Sequence, residues 1–169
     1  MADGSDWNWM QMGKQNKDAE VFCVTGRRDN MYDVVIIGSG PAGLSASIYA
    51  NRAGLKAVTI EKSAMSGGQV LNTYEVDNYP GLPGINGFEL GMKFREHADK
   101  LSCEFKVAEV LSIQEEDGHF LIQTEKEKLQ ARTVIVATGA YHAKLNVPGE
   151  EKFAGKGVSY CATCDGAFF

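Results

Sequence analysis

One stretch decides the fold: Tyr32-Asp33-Val34-Val35-Ile36-Ile37-Gly38-Ser39-Gly40-Pro41-Ala42-Gly43. Its first half is a short β-branched run that ends at glycine, which is typical of a buried parallel strand. Residues 44–53 then have a helical pattern, with Gly54 as the stop. Residues 56–60 predict a second strand, which ends at Glu61. Strand, glycine turn, helix and strand make a βαβ unit, so the sequence predicts an α/β fold.

The glycine turn has the spacing of a dinucleotide-binding motif. Gly38 permits the tight turn, Gly40 lets the backbone approach a pyrophosphate, and Gly43 lets the helix pack closely on the strand. The N-terminus of the helix offers free N–H groups and a partial positive charge to phosphates. Glu61 can accept hydrogen bonds from ribose hydroxyls and would repel a 2′-phosphate, which favours FAD or NAD over NADP. A purely structural glycine turn is the alternative.

Two elements are predicted after this unit. Residues 67–87 are rich in Gly, Asn and Pro and predict a loop. Residues 88–101 predict an amphipathic helix. Its apolar face consists of Leu90, Phe94, Ala98 and Leu101.

The next part of the chain predicts strands. Residues 107–114 and 119–124 alternate in polarity around Asp117-Gly118, which predicts a hairpin. Residues 133–137 predict another strand of the buried type, closed by Thr138-Gly139. Pro148-Gly149 marks an expected domain edge.

Composition excludes several classes of function. The net charge of -5 and the lack of a basic cluster with interleaved aromatics argue against nucleic-acid binding. No apolar run is long enough to span a bilayer. Residues 1–30 are polar and of mixed charge, which predicts a disordered extension. Because this extension also lacks an apolar signal-peptide core, we expect a cytoplasmic protein.

A second motif, Cys161-Ala-Thr-Cys164-Asp165, lies near the end of the chain. Two cysteines at this spacing can close an easily reduced disulfide, and the adjacent carboxylate could move protons during exchange. Zinc binding and two buried free thiols are the alternatives. Zinc needs two further ligands, and the candidates form no second close pair. These candidates are Cys23, Cys103, His97, His119 and His142. No metal site is therefore predicted.

Five segments, taken in order, resemble the low-molecular-weight thioredoxin reductases. They are Gly38-Ser-Gly-Pro-Ala-Gly43, Gly67-Gly68-Gln69, Asn78-Tyr-Pro-Gly81, Ala137-Thr-Gly-Ala140 and Cys161-Ala-Thr-Cys-Asp-Gly166. The resemblance covers residues 32–169 and implies a Rossmann-like, three-layer FAD-binding domain with a β-meander. It also implies a second, NADPH-binding domain and a homodimer. NADPH would reduce FAD, FAD would reduce the dithiol, and the dithiol would reduce thioredoxin.

The resemblance also implies roles for individual residues. Cys164 matches the cysteine that faces the flavin, Cys161 the one that attacks thioredoxin, and Asp165 the acid that handles protons. The expected FAD-binding residues are Gly38, Ser39, Gly40, Pro41, Ala42, Gly43, Glu61, Lys62, Gly67, Gly68, Gln69, Asn78, Thr138 and Gly139.

The expected organisation has three parts. Residues 1–30 form the extension, residues 31–147 the first segment of the FAD domain, and residues 148–169 a linker and the start of the NADPH domain. Members of the family continue past the dithiol, so we expect an incomplete FAD domain and no NADPH-dependent turnover by this chain alone. A related flavin-dependent disulfide reductase or dithiol oxidase is one alternative. A non-catalytic FAD-binding fragment is another.

Overall fold

The computed structural model describes residues 31–161. The predicted extension, residues 1–30, lies outside the described residues, as do Cys164 and Asp165. Within residues 31–161, no helix has the length and apolar character needed to cross a membrane.

The predicted βαβ unit is present. Strand β1 spans Met31–Ile37, helix α1 spans Pro41–Arg52, and strand β2 spans Ala57–Glu61. The two strands pair in parallel. Helix α1 begins earlier than predicted because proline, with its fixed φ and missing N–H, suits the first helical position. Gly54 follows the helix with a left-handed φ of 71°, as expected of a residue that ends it.

One mixed sheet contains all six strands, in the order β3-β2-β1-β6-β5-β4. The remaining strands are β3 Glu104–Val107, β4 Val110–Glu116, β5 His119–Thr124 and β6 Lys128–Val136. Strands β3, β2, β1 and β6 pair in parallel, whereas β4, β5 and β6 form an antiparallel meander. The predicted α/β class and the meander are therefore confirmed.

The hairpin of the meander turns at the predicted residues. Asp117 and Gly118 have left-handed φ values of 48° and 75°, which a two-residue hairpin turn of type I′ requires. The strand predicted over residues 107–114, however, is interrupted. Val107 ends β3, and β4 begins only at Val110. The Ala108 N–H still donates to the Glu61 carbonyl of β2 at 2.9 Å, and the chain leaves the parallel sheet after this bond.

Strand β6 differs from the prediction in length and burial. It begins at Lys128 rather than at residue 133, because its first half pairs with β5 and buries Leu129 and Ala131. Its second half was expected to be buried, and this was wrong for three residues: Thr133 is exposed, Ile135 is 40% exposed and Val136 is 65% exposed. In the part of the chain that the structure describes, this half of β6 pairs with β1 alone.

Three layers surround the core. Helix α1 and helix α2, Gly87–Lys100, cover one face of the sheet, where Val34, Ile36, Leu44 and Ala98 are buried. The opposite face packs on the meander, through the buried residues Val35, Ile37, Val58, Ile60, Ile122 and Leu129. The predicted loop over residues 67–87 contains a 3₁₀ helix, Gly68–Asn72, and a short helix α3, Glu150–Phe153, follows the sheet. This layering places the carboxyl ends of β1, β2 and β6 together at one edge.

Candidate functional site

A cavity of about 910 Å³ opens at the carboxyl ends of the parallel strands. This edge is where open α/β sheets bind their ligands. Among the predicted site residues, the structure brings together eleven in the cavity lining: Gly38, Ser39, Gly40, Pro41, Ala42, Glu61, Lys62, Gly68, Gln69, Thr138 and Gly139. The volume lies near the upper end of the range for small-molecule and cofactor sites, about 300–1,000 Å³.

The glycine turn is shaped by two close backbone approaches. Gly38 has a left-handed φ of 101°, and a Cβ there would lie 2.4 Å from the Ala137 carbonyl oxygen. A Cβ on Gly43 would lie 1.9 Å from the Gly38 carbonyl oxygen, so α1 packs directly on the turn. Gly40 is different: its nearest neighbours lie 3.9 Å or more from an added Cβ, and it faces the cavity. Of the three glycines in this turn, Gly40 is therefore the one with open space in front of it.

The N-terminus of α1 points its free donors into this region. Gly40 is the N-cap, and no side chain caps the helix. The first N–H groups of an α-helix have no partner within the helix and carry a partial positive charge. Since Gly40, Pro41 and Ala42 line the cavity, this end of the helix can bind an anionic group there.

The Glu61 carboxylate holds the turn from the end of β2. One oxygen accepts from the Ser39 N–H at 2.8 Å and from the Ser39 hydroxyl at 2.9 Å. The other accepts from the Ser63 N–H at 3.0 Å. Burial alone raises the pKa of Glu61, but these hydrogen bonds outweigh it, so the net pKa is lowered and the group stays ionised. The Lys62 backbone also donates to this carboxylate. These four donors match its about four acceptor sites, so the predicted ribose contact would share a site with one of them.

The loop between β2 and α2 forms one side of the cavity. The Gly67 N–H donates to the Ser39 carbonyl at 2.8 Å, which joins the Gly67-Gly68 pair to the glycine turn after β1. Arg95 on α2 donates to the buried Ser66 hydroxyl at 2.9 Å and lies over the Phe105 ring at 3.8 Å. Arg95 was not among the predicted residues, although it positions this loop. No local pattern indicates it, because Ser66 lies 29 residues away in sequence.

Other cavity residues were also missed by the sequence analysis. They are Ile37, Ile60, Ser63, Met65, Val70, Leu71, Asn72, Ala108, Glu109, Val110, Ala137, Ala140 and Tyr141. Of the predicted residues, Gly43 and Gly67 lie behind the lining, and Asn78 is exposed outside it. The assignment of Asn78 to the flavin site stays a prediction.

The described part of the second motif is Cys161. This half-buried residue is disulfide-bonded, whereas Cys103 carries a free thiol. The Cys161 N–H donates to the Ser159 hydroxyl at 3.1 Å. Pairing with Cys164 stays a prediction, because Cys164 lies outside the described residues. Over residues 31–161, no group of His, Cys, Asp or Glu side chains could hold a metal ion.

We expect the Glu61 carboxylate to make the stability of the folded chain more sensitive to acid. Because its pKa is lowered in the folded chain, its stabilisation is fully present above the ordinary value of 4.5 and is lost as the pH falls through the lowered value. The Glu61→Gln variant lacks this contribution. Its melting temperature should therefore fall less than that of the wild-type chain between about pH 6 and about pH 3.

The control is Glu115→Gln, which changes an exposed glutamate of β4 in the same way. Its melting temperature should follow that of the wild-type chain across the same pH range. Equal acid sensitivity of Glu61→Gln and the wild-type chain would contradict the assignment.

Comparison with known proteins gives consistent matches. The family model described as pyridine nucleotide-disulphide oxidoreductase matches residues 32–169. The chain is 44% identical over 141 residues to thioredoxin reductase of Bacillus subtilis, and the alignment covers 83% of this chain and 44% of that protein. It is 47% identical over 139 residues to thioredoxin reductase of Treponema pallidum, covering 82% and 45%.

A solved structure agrees with these sequences. The thioredoxin reductase from Streptococcus pyogenes superposes with a TM-score of 0.71 at 48% identity, covering 83% of this chain and 45% of that chain. The chain thus spans less than half the length of each of these relatives.

Proposed function

The chain belongs to the pyridine nucleotide-disulphide oxidoreductase family, and on that premise we propose that it carries the FAD site and the redox-active disulfide of a thioredoxin reductase. One observation carries the proposal. The glycine turn, Glu61 and the Gly67-Gly68 loop surround a single cavity of about 910 Å³, and the chain that lines it at Thr138-Gly139 continues to the disulfide-bonded Cys161.

The residues present fit FAD in chemistry and in space. The uncapped N-terminus of α1 suits a pyrophosphate, and the missing side chain of Gly40 leaves room for it to approach. The ionised Glu61 suits neutral ribose hydroxyls. When bound, FAD would supply a ring system that carries two electrons.

The chain's own residues then have distinct tasks. The first N–H groups of α1 bind phosphate, and Glu61 both holds Ser39 in place and accepts from ribose hydroxyls. Glu61 also repels a 2′-phosphate, which sets the preference for FAD over NADP at this cavity. Lys62 and Gln69 line the same cavity and are available to further polar groups of the cofactor.

The redox tasks belong to the second motif. Cys161 and Cys164 form the disulfide, Cys161 attacks the disulfide of thioredoxin, and Asp165 moves the proton. The disulfide-bonded state of Cys161 supports this assignment. Thioredoxin as the acceptor is supported by the names of the relatives, and a pyridine nucleotide, NADPH, as the donor by the family's name. A homodimer and a cytoplasmic location complete the proposal.

Nucleotide titration tests the cavity assignment. The purified chain should bind FAD at least about tenfold more tightly than NADP, since like charges that face each other in a site cost several kcal/mol. Quenching of flavin fluorescence and competition by NADP measure the two affinities.

Two variants sharpen this test. Glu61→Gln should narrow the difference between the two nucleotides, whereas Glu115→Gln should leave it unchanged. Tighter binding of NADP than of FAD by the wild-type chain would show that the cavity has been wrongly assigned.

A further inference from the structure

Glu150 is a buried acid that the proposed function does not use. It is the first residue of the short helix α3 and only 4% exposed. Acidic side chains are almost never buried to this extent unless they are paired. The partners of Glu150 therefore indicate why it is there.

Three donors from two segments of the chain converge on this carboxylate. One oxygen accepts from the Leu145 N–H at 2.9 Å and from the Tyr160 hydroxyl at 2.7 Å. The other accepts from the Asn146 N–H at 2.7 Å. The hydrogen bond from Tyr160, followed by that from the Leu145 backbone, lowers the pKa of Glu150, so the acceptor is an ionised carboxylate.

Tyr160 is held on a second side as well. Its ring stacks on that of His142, with centroids 5.5 Å apart and planes 13° from parallel. The next residue is Cys161, whose N–H donates to the Ser159 hydroxyl at 3.1 Å while that hydroxyl donates to the Cys161 carbonyl at 3.2 Å. The backbone that enters the disulfide is thus fixed at residues 159–161.

The other segment leads back to the cavity. Residues 138–141 line the cavity, and the chain continues from them to Leu145 and Asn146. One carboxylate therefore joins the wall of the nucleotide cavity to the residue that precedes Cys161.

We propose that Glu150 is a positioning residue for Cys161: through the Tyr160 hydroxyl it holds the disulfide at a fixed place relative to the cavity wall. This inference rests on the proposed function, because it assumes that the Cys161 disulfide is redox-active. In this proposal the anchor is stronger in the disulfide-bonded chain than in the reduced chain, so that it favours the oxidised form. Its loss should make the disulfide easier to reduce.

The exchange with dithiothreitol measures this effect. A thiolate of dithiothreitol attacks one sulfur of the Cys161 disulfide, so a mixed disulfide forms and one protein thiolate leaves. The second dithiothreitol thiol then displaces the other protein sulfur. The protein gains two electrons and two protons as two thiols, and dithiothreitol leaves as its cyclic disulfide.

The experiment equilibrates the folded 169-residue chain in mixtures of reduced and oxidised dithiothreitol and counts alkylated thiols. Glu150→Gln removes the charge, and Tyr160→Phe removes only the hydroxyl. Each should raise the equilibrium constant for reduction about fivefold, which equals about 1 kcal/mol. The double variant should show about the same change as either single variant, because both act through one hydrogen bond.

Glu151→Gln is the matched control. It makes the same chemical change one residue away, at an exposed carboxylate paired with Lys144, where an ion pair contributes little. Its equilibrium constant should stay within about twofold of that of the wild-type chain. Melting temperatures show whether each variant is folded. If Glu150→Gln does not fold, Tyr160→Phe alone carries the test.

The outcomes separate the two proposals. A reducible disulfide in the wild-type chain with an unchanged equilibrium constant in folded Tyr160→Phe would overturn the positioning role alone. Additive effects of the two variants, or an equal effect of Glu151→Gln, would also overturn it. If dithiothreitol reduces no disulfide in the wild-type chain, the proposed function is overturned, and this inference with it.

Discussion

The Gly43→Ala variant should lose both a large part of its stability and its nucleotide binding. The added Cβ would lie 1.9 Å from the Gly38 carbonyl oxygen and 2.9 Å from its carbonyl carbon. Both are backbone atoms of the turn, so no side chain can move aside, and α1 must shift away from β1. Overpacking of this kind costs about 3 kcal/mol or more. For a chain of this size we expect the melting temperature to fall by roughly 10 °C.

Binding should suffer even in the fraction that stays folded. The shift moves the first N–H groups of α1 away from the cavity, and a displacement of about 1 Å at a site can cost about 100-fold in function. Calorimetry gives the melting temperature, and fluorescence titration gives the affinity for FAD.

Gly40→Ala is the matched control for this prediction. Gly40 has an ordinary φ of −70°, and an added Cβ meets nothing closer than 3.9 Å. The change at the N-cap should cost no more than about 1 kcal/mol of stability. The new methyl group points into the space through which a pyrophosphate would approach, so FAD binding should fall while the fold persists. A stable Gly43→Ala variant that binds FAD normally would contradict the close packing of helix and turn.

The central part of the fold was predictable from local sequence. The β-branched run of β1, the glycine turn and the position of Gly54 indicate the βαβ unit without reference to any distant residue. The turn at Asp117-Gly118 is equally local, because both residues tolerate left-handed backbone.

The strands that were misjudged depend on distant partners. The first half of β6 alternates polar residues with Leu129 and Ala131, and it becomes a strand by pairing with β5. Strand β3 is separated from β4 by two residues, Ala108 and Glu109, which carry the chain from the parallel sheet to the hairpin. Neither residue is a turn former, so the pattern of polarity could not show the break.

In the candidate site too, local sequence predicted some features, whereas others depend on residues that are distant in sequence. Glycine spacing predicted the turn, and the position at the end of the second strand predicted Glu61. The hydrogen bonds of Glu61 to Ser39 span 22 residues of sequence, and those of Arg95 and Glu150 likewise arise from tertiary packing. Sequence spacing therefore located the glycine turn and Glu61, but it missed the other lining residues and the residues that hold the cavity walls.

The Cys161→Ser variant should abolish the reducible disulfide completely. In the wild-type chain, treatment with a mild reductant should raise the number of titratable thiols by two, because one disulfide becomes two thiols. Serine cannot form a disulfide, so the increase should be zero in the variant. Alkylation followed by mass spectrometry counts the thiols before and after reduction.

Cys103→Ser tests whether the effect is specific. Cys103 carries a free thiol that donates to the Ser47 carbonyl at 3.6 Å, apart from the disulfide. Its replacement should lower the total count by one and leave the increase on reduction at two. An unchanged thiol count in the wild-type chain on reduction, or stoichiometric zinc in the purified protein, would contradict the redox role of Cys161. An increase of two thiols that persists in Cys161→Ser would instead place the reducible disulfide elsewhere in the chain, because a single serine removes only the pair to which this sulfur belongs.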